Sequence, residues 1–165
     1  MTISDQQLAD AGADLGAQLV SRGMTIATAE SCTGGWLAKV LTDRAGSSAY
    51  VAGGLVTYSN RAKQLLLGVT ELTLQQHGAV SEQVVRDMVA GALRATGAEV
   101  AVAISGVAGP GGGSAEKPVG TVWFAWGAHC KDTVARHRRF EGDREAVRRQ
   151  AVMVALQGVS DFLDS

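Results

Sequence analysis

The sequence has few of the residues that build cross-linked or metal-bound proteins. It contains two cysteines, Cys32 and Cys130, and three histidines, His77, His129 and His137, with no spacing typical of a zinc site. Two cysteines are also too few for a disulfide framework. We therefore expect two reduced thiols, no metal ion and no cofactor.

Long apolar runs and an excess of basic residues are also missing. No uninterrupted apolar run reaches the roughly 18 residues that a membrane span needs. A formal net charge of −1 and a pI near 6.3 give no basic surface of the kind that nucleic-acid binders carry. The N-terminus, MTISDQQLAD, has acidic residues where a signal peptide needs a basic start and an apolar stretch. We expect a cytoplasmic protein that binds neither membranes nor nucleic acids.

The length and the apolar content suit one folded domain. The chain has 165 residues, of which 46% are apolar and 19% are charged, which is typical of globular rather than disordered proteins. Domains commonly contain roughly 100–150 residues. We therefore expect residues 1–165 to form a single domain.

Helix and strand signals alternate along the chain. Ser4 and Gln7 form a capping-box pattern that predicts a first helix, which Gly23 ends. The predicted strands cover 24–29, 50–58, 100–104, 121–126 and 133–140, and the second should bulge at Gly53 and Gly54. Further helices are predicted over 33–41, from a cap at Asn60 to Leu67, from Thr70 to His77, from Ser81 to Gly97, and through Val147 to Phe162.

This order of elements predicts an α/β fold. The last two strands have no helix between them and should pair antiparallel, whereas helices separate the earlier strands. We expect a three-layer α/β/α sandwich with a mixed, mostly parallel sheet of about five strands. Ligands gather at the carboxyl ends of such strands. Three polar segments, 30–32, 58–60 and 105–110, should meet there.

Five motifs in order along the chain carry a resemblance to a known family. They are T-A-E-S-C-T-G-G at 28–35, Y-S-N-x-x-K at 58–63, A-V-S-E-Q-V-V at 79–85, G-V-A-G-P-x-G-G-S at 106–114 followed by E-K-P-V-G-T-V at 116–122, and G-D-R-x-x-V-R at 142–148. Together they resemble the C-terminal domain of the CinA (competence/damage-inducible) proteins. One departure is visible, because Ile104-Ser105-Gly106 stands where the family commonly has A-T-G. Ser105 keeps a hydroxyl for substrate contact but lacks the methyl group.

The resemblance implies an enzyme and a small-molecule substrate. Relatives of this kind are nicotinamide-nucleotide amidases, which hydrolyse the carboxamide of nicotinamide mononucleotide to nicotinate mononucleotide and ammonia. Many relatives have a further N-terminal domain, whereas this chain begins with its own capped helix, so we expect the stand-alone form. We also expect a homo-oligomer. The sequence VARHRRF at 134–140 is interpreted as an exposed or subunit-facing strand edge and not as a nucleic-acid site.

Ser31 is the predicted nucleophile. A serine in the turn between a strand and a glycine-flanked helix start lies beside free N–H groups that can stabilise an oxyanion. Capping of the helix is the alternative role that the residue type alone favours. Cys32 is the chemical competitor, but no motif ties a histidine to it, so we interpret it as a buried small residue.

Lys63 is the predicted base. Of the four lysines, Lys39 lies about 12 Å along a helix from Ser31, which is beyond hydrogen-bond reach, and Lys131 falls in a hairpin connection. Lys63 matches the lysine of the family motif, and burial or a positive neighbour such as Arg61 could keep its amine neutral. Tyr58 is assigned a proton-relay role, with a strand-end tyrosine as the alternative.

The substrate's phosphate needs a cationic or N–H-rich site. Arg144 and Arg148 lie four residues apart on one helix face and match the family motif, so we expect them to clamp it. Residues of the glycine-rich loop could present backbone N–H groups to the same anion, namely Gly109, Gly112, Gly113 and Ser114. The remaining predicted substrate contacts are Glu30, Thr33, Gly34, Asn60 and Ser105.

Two other functions remain open at this stage. One is a phosphoryl-transfer enzyme built on GPGGGS, although this loop lacks the G-x-x-x-x-G-K-[ST] pattern and no acid pair for magnesium accompanies it. The other is a non-catalytic nucleotide-binding or competence-related adaptor, since motifs can persist after activity is lost.

Overall fold

The computed structural model describes residues 2–165, which form five strands and six α-helices. The strands are β1 (Ile26–Glu30), β2 (Val51–Val56), β3 (Val100–Gly106), β4 (Thr121–Ala128) and β5 (Lys131–Arg139). The helices are α1 (Asp5–Arg22), α2 (Trp36–Thr42), α3 (Asn60–Leu67), α4 (Glu71–His77), α5 (Glu82–Thr96) and α6 (Arg144–Asp164). A short 3₁₀ turn at Ser47–Ala49, which the sequence pattern did not predict, precedes β2.

The strands form one mixed sheet in the order β2-β1-β3-β4-β5. β1 pairs in parallel with β2 and β3, while β4 pairs antiparallel with both β3 and β5. Four strands therefore share one direction and β4 runs against them, which gives the mixed, mostly parallel sheet that was predicted. The predicted hairpin is also present, but its strands are longer, so that only His129 and Cys130 connect them.

Helices cover both faces of the sheet, which confirms the predicted three-layer α/β/α fold. On one face, large apolar side chains of β3 and β4, such as Ile104 and Phe124, pack in one cluster with buried residues of α1, α2 and α6. On the other face the strands present mainly alanines, including Ala29 and Ala103, to α3, α4 and α5. Small side chains let a helix approach a sheet closely, so the two layers differ in packing while both exclude water.

Two predicted helix starts are shifted. α2 begins at Trp36 rather than at residue 33, because Gly34 and Gly35 adopt the left-handed conformation, with φ of +61° and +100°, and keep the chain in a turn. Ser59, not Asn60, caps α3, since its hydroxyl accepts from the Ala62 N–H at 3.0 Å. The predicted β2 irregularity falls at Ala52, which the pairing with β1 skips.

The parallel strands end at one edge of the sheet. Glu30, the last residue of β1, lies opposite Val56 of β2 and Ile104 of β3. The chain segments that follow these three strands therefore leave the sheet side by side, and that edge carries the candidate site. None of the helices within residues 2–165 combines the length and apolar character needed to cross a membrane.

Candidate active site

Ser31 and Lys63 lie in direct contact at the carboxyl edge of the sheet. Ser31 directly follows β1, and its N–H donates to Ile104 O at 3.0 Å, which ties the turn to β3. The Lys63 Nζ lies 3.0 Å from the Ser31 Oγ. Ser31 stands five residues before the first residue of α2, whose N-cap is Gly35, so its hydroxyl does not cap that helix.

Local helix geometry explains why Lys63 points at the site. Ser59 starts α3, and a side chain one turn further along leans back towards the N-terminus of its helix. The Lys63 amine accordingly donates to the carbonyls of Thr57 and Tyr58, at 2.8 and 3.3 Å. Lys63 is only 1% exposed, although lysine is among the residues least often buried. The burial lowers the pKa of its amine below the usual value, because the charged form loses solvation.

Arg61 is not among the causes of the lowered pKa of Lys63. Arg61 is an exposed residue on the first turn of α3, and desolvation is the main cause of the lowered pKa of Lys63. The other candidate bases lie elsewhere: Lys39 pairs with Asp43, and Lys131 opens β5, where its amine donates to carbonyls at the C-terminus. Lys63 is thus the lysine that contacts Ser31.

Cys32 is a buried thiol, as the sequence interpretation expected. Its side chain is 6% exposed, and burial, followed by the nearby Glu30, raises its pKa to about 12. A thiol with so high a pKa stays protonated near neutral pH and is a poor nucleophile.

Glu30 and Thr33 hold the turn rather than line the cavity. Glu30 is fully buried, and its Oε1 accepts from the Thr33 hydroxyl and from the N–H groups of Gly35 and Leu37, while its Oε2 accepts from the Ala38 N–H. The carboxylate therefore satisfies the free donors at the start of α2. The structure does not place either residue where the predicted substrate contact would need it.

The two arginines predicted to act together have different partners. Arg144 lines the cavity, and it donates to Gly109 O at 2.7 Å and to the Tyr58 hydroxyl at 2.9 Å. Arg148 instead donates to the carbonyls of Cys32 and Thr33, outside the cavity. The structure therefore does not bring the two arginines together at the cavity, and of the two only Arg144 lines it.

Tyr58 belongs with Arg144 rather than with the base. Its side chain is 61% exposed, and its hydroxyl accepts from Arg144, whereas only its backbone carbonyl contacts the Lys63 amine. No hydrogen bond among the described residues connects the phenol hydroxyl to Ser31 or Lys63, so the geometry does not support the predicted proton relay.

The glycine-rich loop divides into a part at the cavity and a part behind it. Gly109 and Gly112 line the cavity. Gly113 packs on the backbone of Val119, where a Cβ would come within 2.7 Å of the N atom, and Ser114 exchanges hydrogen bonds with Lys117. Gly113 and Ser114 therefore shape the loop rather than face a ligand.

Of the three remaining predicted substrate contacts, one lines the cavity and two do not. Ser105 lines the cavity, but its hydroxyl donates to Ala79 O at 2.8 Å. Asn60 is exposed on the first turn of α3 and does not line the cavity. Gly34 sits in the turn before α2, where an added Cβ would lie 3.3 Å from the Arg148 Nη2.

The cavity that Ser31, Lys63 and Arg144 line has a volume of about 310 Å³. Its polar lining includes Ser31, Tyr58, Lys63, Ser105 and Arg144. An apolar wall, to whose residues the sequence interpretation gave no role, includes Ala79, Val80, Val107 and Ala108. The motif A-V-S-E-Q-V-V at 79–85 was the available signal, but no role had been attached to it. Among residues 2–165, no cluster of three or more His, Cys, Asp or Glu side chains could hold a metal ion.

Comparisons with known proteins show the family to which the chain belongs. Residues 8–163 match the family described as the CinA C-terminal domain. A protein from Escherichia coli (strain K12) named nicotinamide-nucleotide amidohydrolase PncC is 57% identical over 155 residues, which cover 94% of each chain. A protein of the same name from Pseudomonas putida is 54% identical over 88% of this chain and 90% of its own length.

Solved structures with the same fold point to the same family. The crystal structure of competence/damage inducible protein CihA from Agrobacterium tumefaciens has a TM-score of 0.94 to this chain, at 41% identity and with 99% of both chains covered. The resemblance drawn from the five motifs is thereby confirmed, and the chain belongs to the CinA C-terminal domain family.

Proposed function

We propose that the chain hydrolyses the carboxamide of nicotinamide mononucleotide to nicotinate mononucleotide and ammonia. The observation that carries this proposal is the contact between a buried lysine amine and a serine hydroxyl, Lys63 and Ser31, at 3.0 Å in a cavity. Such a pair supplies the nucleophile and the base that amide hydrolysis needs without a metal. The names of the E. coli and P. putida relatives support the choice of amide.

The contacts of Lys63 suit a neutral amine. A neutral amine has two N–H donors, which the carbonyls of Thr57 and Tyr58 accept, and one lone pair, which then faces the Ser31 hydroxyl. In this state the Ser31 hydroxyl donates to Lys63, which is the arrangement required for general-base catalysis.

The reaction then proceeds in two steps. The Ser31 Oγ forms a bond to the carboxamide carbon while Lys63 accepts the hydroxyl proton; the C–N bond breaks, and Lys63 returns that proton to the leaving ammonia. A water molecule, activated by the again neutral Lys63, hydrolyses the resulting ester to the carboxylate and restores Ser31. The N–H of Cys32, the residue after the nucleophile, is our candidate donor to the oxyanion.

The rest of the cavity fits the remaining parts of a mononucleotide. The apolar wall that includes Val80 and Val107 suits the faces of a pyridine ring. Arg144 uses two N–H groups for Gly109 O and the Tyr58 hydroxyl, and the others of its five donors remain for a phosphate. Ser31 and Arg144 line the same cavity, which a substrate with an amide and a phosphate would bridge.

Ammonia release from nicotinamide mononucleotide, measured without added metal or ATP, tests the proposal. Ser31→Ala and Lys63→Ala should each lower turnover roughly a thousandfold or more, and the double variant should be little worse, because the two groups act as a unit. Cys32→Ala is the matched control and should retain turnover.

Three other outcomes would contradict the proposal. If folded wild-type protein binds the mononucleotide but releases no ammonia, an adaptor function is supported instead. ATP-dependent phosphoryl transfer would support the glycine-loop alternative. If Cys32→Ala is inactive and Ser31→Ala is not, the nucleophile is the thiol.

Four further expectations stay predictions. They are that residues 1–165 form a single domain, that the protein is cytoplasmic, that it is a homo-oligomer, and that it binds no nucleic acid. Size-exclusion chromatography with light scattering would measure the oligomeric state.

A further inference from the structure

Arg148 contacts the backbone of the turn that carries Ser31. Its Nε donates to Cys32 O at 3.0 Å and its Nη2 donates to Thr33 O at 3.2 Å. The guanidinium carbon also lies over the Trp36 ring, 5.6 Å from its centre, at the distance of a cation–π contact. Arg148 belongs to α6, so this contact joins the last helix to the segment directly after the proposed nucleophile.

We propose that Arg148 is a positioning residue, which holds Ser31 at the correct distance from Lys63, and not a ligand of the substrate's phosphate. Its role in turnover depends on the amidase function proposed above. Arg148 acts through the turn: it does not itself line the cavity, and its hydrogen bonds go to the backbone that follows Ser31.

The turn needs such a support because its sequence is flexible. Gly34 and Gly35 both adopt positive φ, and α2 starts only at Trp36, so the carbonyls of residues 32 and 33 precede the helix. Thr33 O also accepts from the Trp36 N–H, but the described residues offer Cys32 O no donor other than Arg148. Without Arg148 that carbonyl loses this donor, and the turn loses its contact with α6.

Two oppositely charged side chains hold the turn: one accepts from its N–H groups and the other donates to its carbonyls. The Glu30 carboxylate accepts from the Thr33 hydroxyl and from N–H groups at the start of α2, while the Arg148 guanidinium donates to carbonyls directly after Ser31. The two contacts direct the Arg148 guanidinium at the turn, and Arg148, unlike Arg144, does not line the cavity that would hold the substrate. Catalysis is sensitive to a loss of these contacts, since a misplacement of about 1 Å can reduce a rate roughly a hundredfold.

Arg148→Lys is the main test variant and Arg149→Ala the matched control. Lysine keeps the charge but lacks the fork that spans both carbonyls. Arg149 is the next residue and also lies over the Trp36 ring, at 4.9 Å, but it pairs with Asp5 and Glu145 and not with the turn. Both variants should give the circular dichroism spectrum of the wild type.

Kinetics distinguish a positioning role of Arg148 from a phosphate-binding role. For Arg148→Lys we expect kcat to fall roughly 10- to 100-fold with KM within about twofold, by the same factor for nicotinamide mononucleotide and for its dephosphorylated riboside. Arg149→Ala should keep kcat within about twofold. A rise in KM for the mononucleotide alone, with kcat unchanged, would mean that Arg148 binds phosphate and would overturn the inference.

A second measurement does not depend on the natural substrate. A fluorophosphonate probe transfers its phosphonyl group to an activated serine and releases fluoride, and mass spectrometry locates the product on Ser31. Arg148→Lys and Arg148→Ala should both slow this reaction, and added guanidinium should restore part of the rate to Arg148→Ala. Equal labelling of wild type and both variants would refute the positioning role. Normal wild-type labelling without ammonia release would contradict only the amidase proposal.

Discussion

Replacing Glu30 with glutamine is the most direct test of how the fold builds the Ser31 turn. The wild-type carboxylate is fully buried and accepts four hydrogen bonds. Glutamine has nearly the same shape and keeps one acceptor oxygen, so the three bonds to Oε1 can persist. Its amide nitrogen, however, would face the Ala38 N–H, which now donates to Oε2 at 3.0 Å.

The expected loss of stability follows from these contacts. A buried donor without an acceptor costs about 1–3 kcal/mol, and a negative charge at a helix N-terminus contributes up to about 2 kcal/mol. Because glutamine also removes the cost of burying a charge, we expect a net loss of about 2–3 kcal/mol. For a domain of this size the melting temperature should fall by roughly 5–10 °C.

Thermal and urea unfolding, followed by circular dichroism, would measure this loss. Glu99→Gln is the control, because Glu99 also accepts from a backbone N–H and a hydroxyl, those of Thr25, but is exposed. Its free energy of unfolding should change by no more than about 0.5 kcal/mol. Equal losses in the two variants would refute the capping role of Glu30.

Four further predictions concern activity and the reactivity of the two thiols. The rate should rise with pH to a plateau as Lys63 loses its proton, because its pKa is lowered and only the neutral amine can act as a base; a pH profile that falls between acid and neutral pH would contradict this. Arg144→Ala should raise KM more than it lowers kcat for the mononucleotide, and an equal loss with the riboside would exclude the phosphate role. Iodoacetamide should modify the exposed Cys130 and spare Cys32, whose pKa is about 12, as peptide mapping would reveal. EDTA should leave turnover unchanged, since the described residues contain no metal-ligand cluster; loss of turnover that zinc or magnesium restores would disprove this.

The sequence predicted the architecture well because its signals are local. Capping residues such as Ser4, terminal glycines such as Gly23 and the alternation of strands and helices each depend on neighbours along the chain. They were enough to predict three layers and a mixed sheet. The element boundaries were less accurate, as at α2, because the positive φ of Gly34 and Gly35 extends the turn beyond what apolar spacing indicates.

The site was only partly predictable. Ser31 and Lys63 were identified from motifs, and the prediction that they lie at one sheet edge followed from the order of the strands. Their 3.0 Å contact, however, depends on how deeply α3 buries Lys63, which no local pattern encodes. No role was predicted for Ala79 and Val80, because their motif suggested the family but apolar side chains do not by themselves indicate a ligand.

The sequence by itself determined which reactive groups the protein has and which edge of the sheet they reach. The order of helices and strands along the chain and the capping residues depend on neighbouring residues, so a local pattern reveals them. Only the tertiary structure decided what each polar side chain does there. Glu30, Arg148 and Arg144 all looked like substrate ligands, yet two of them hold the Ser31 turn and one lines the cavity. That division depends on the distances between elements far apart in the chain, which packing around a common core sets.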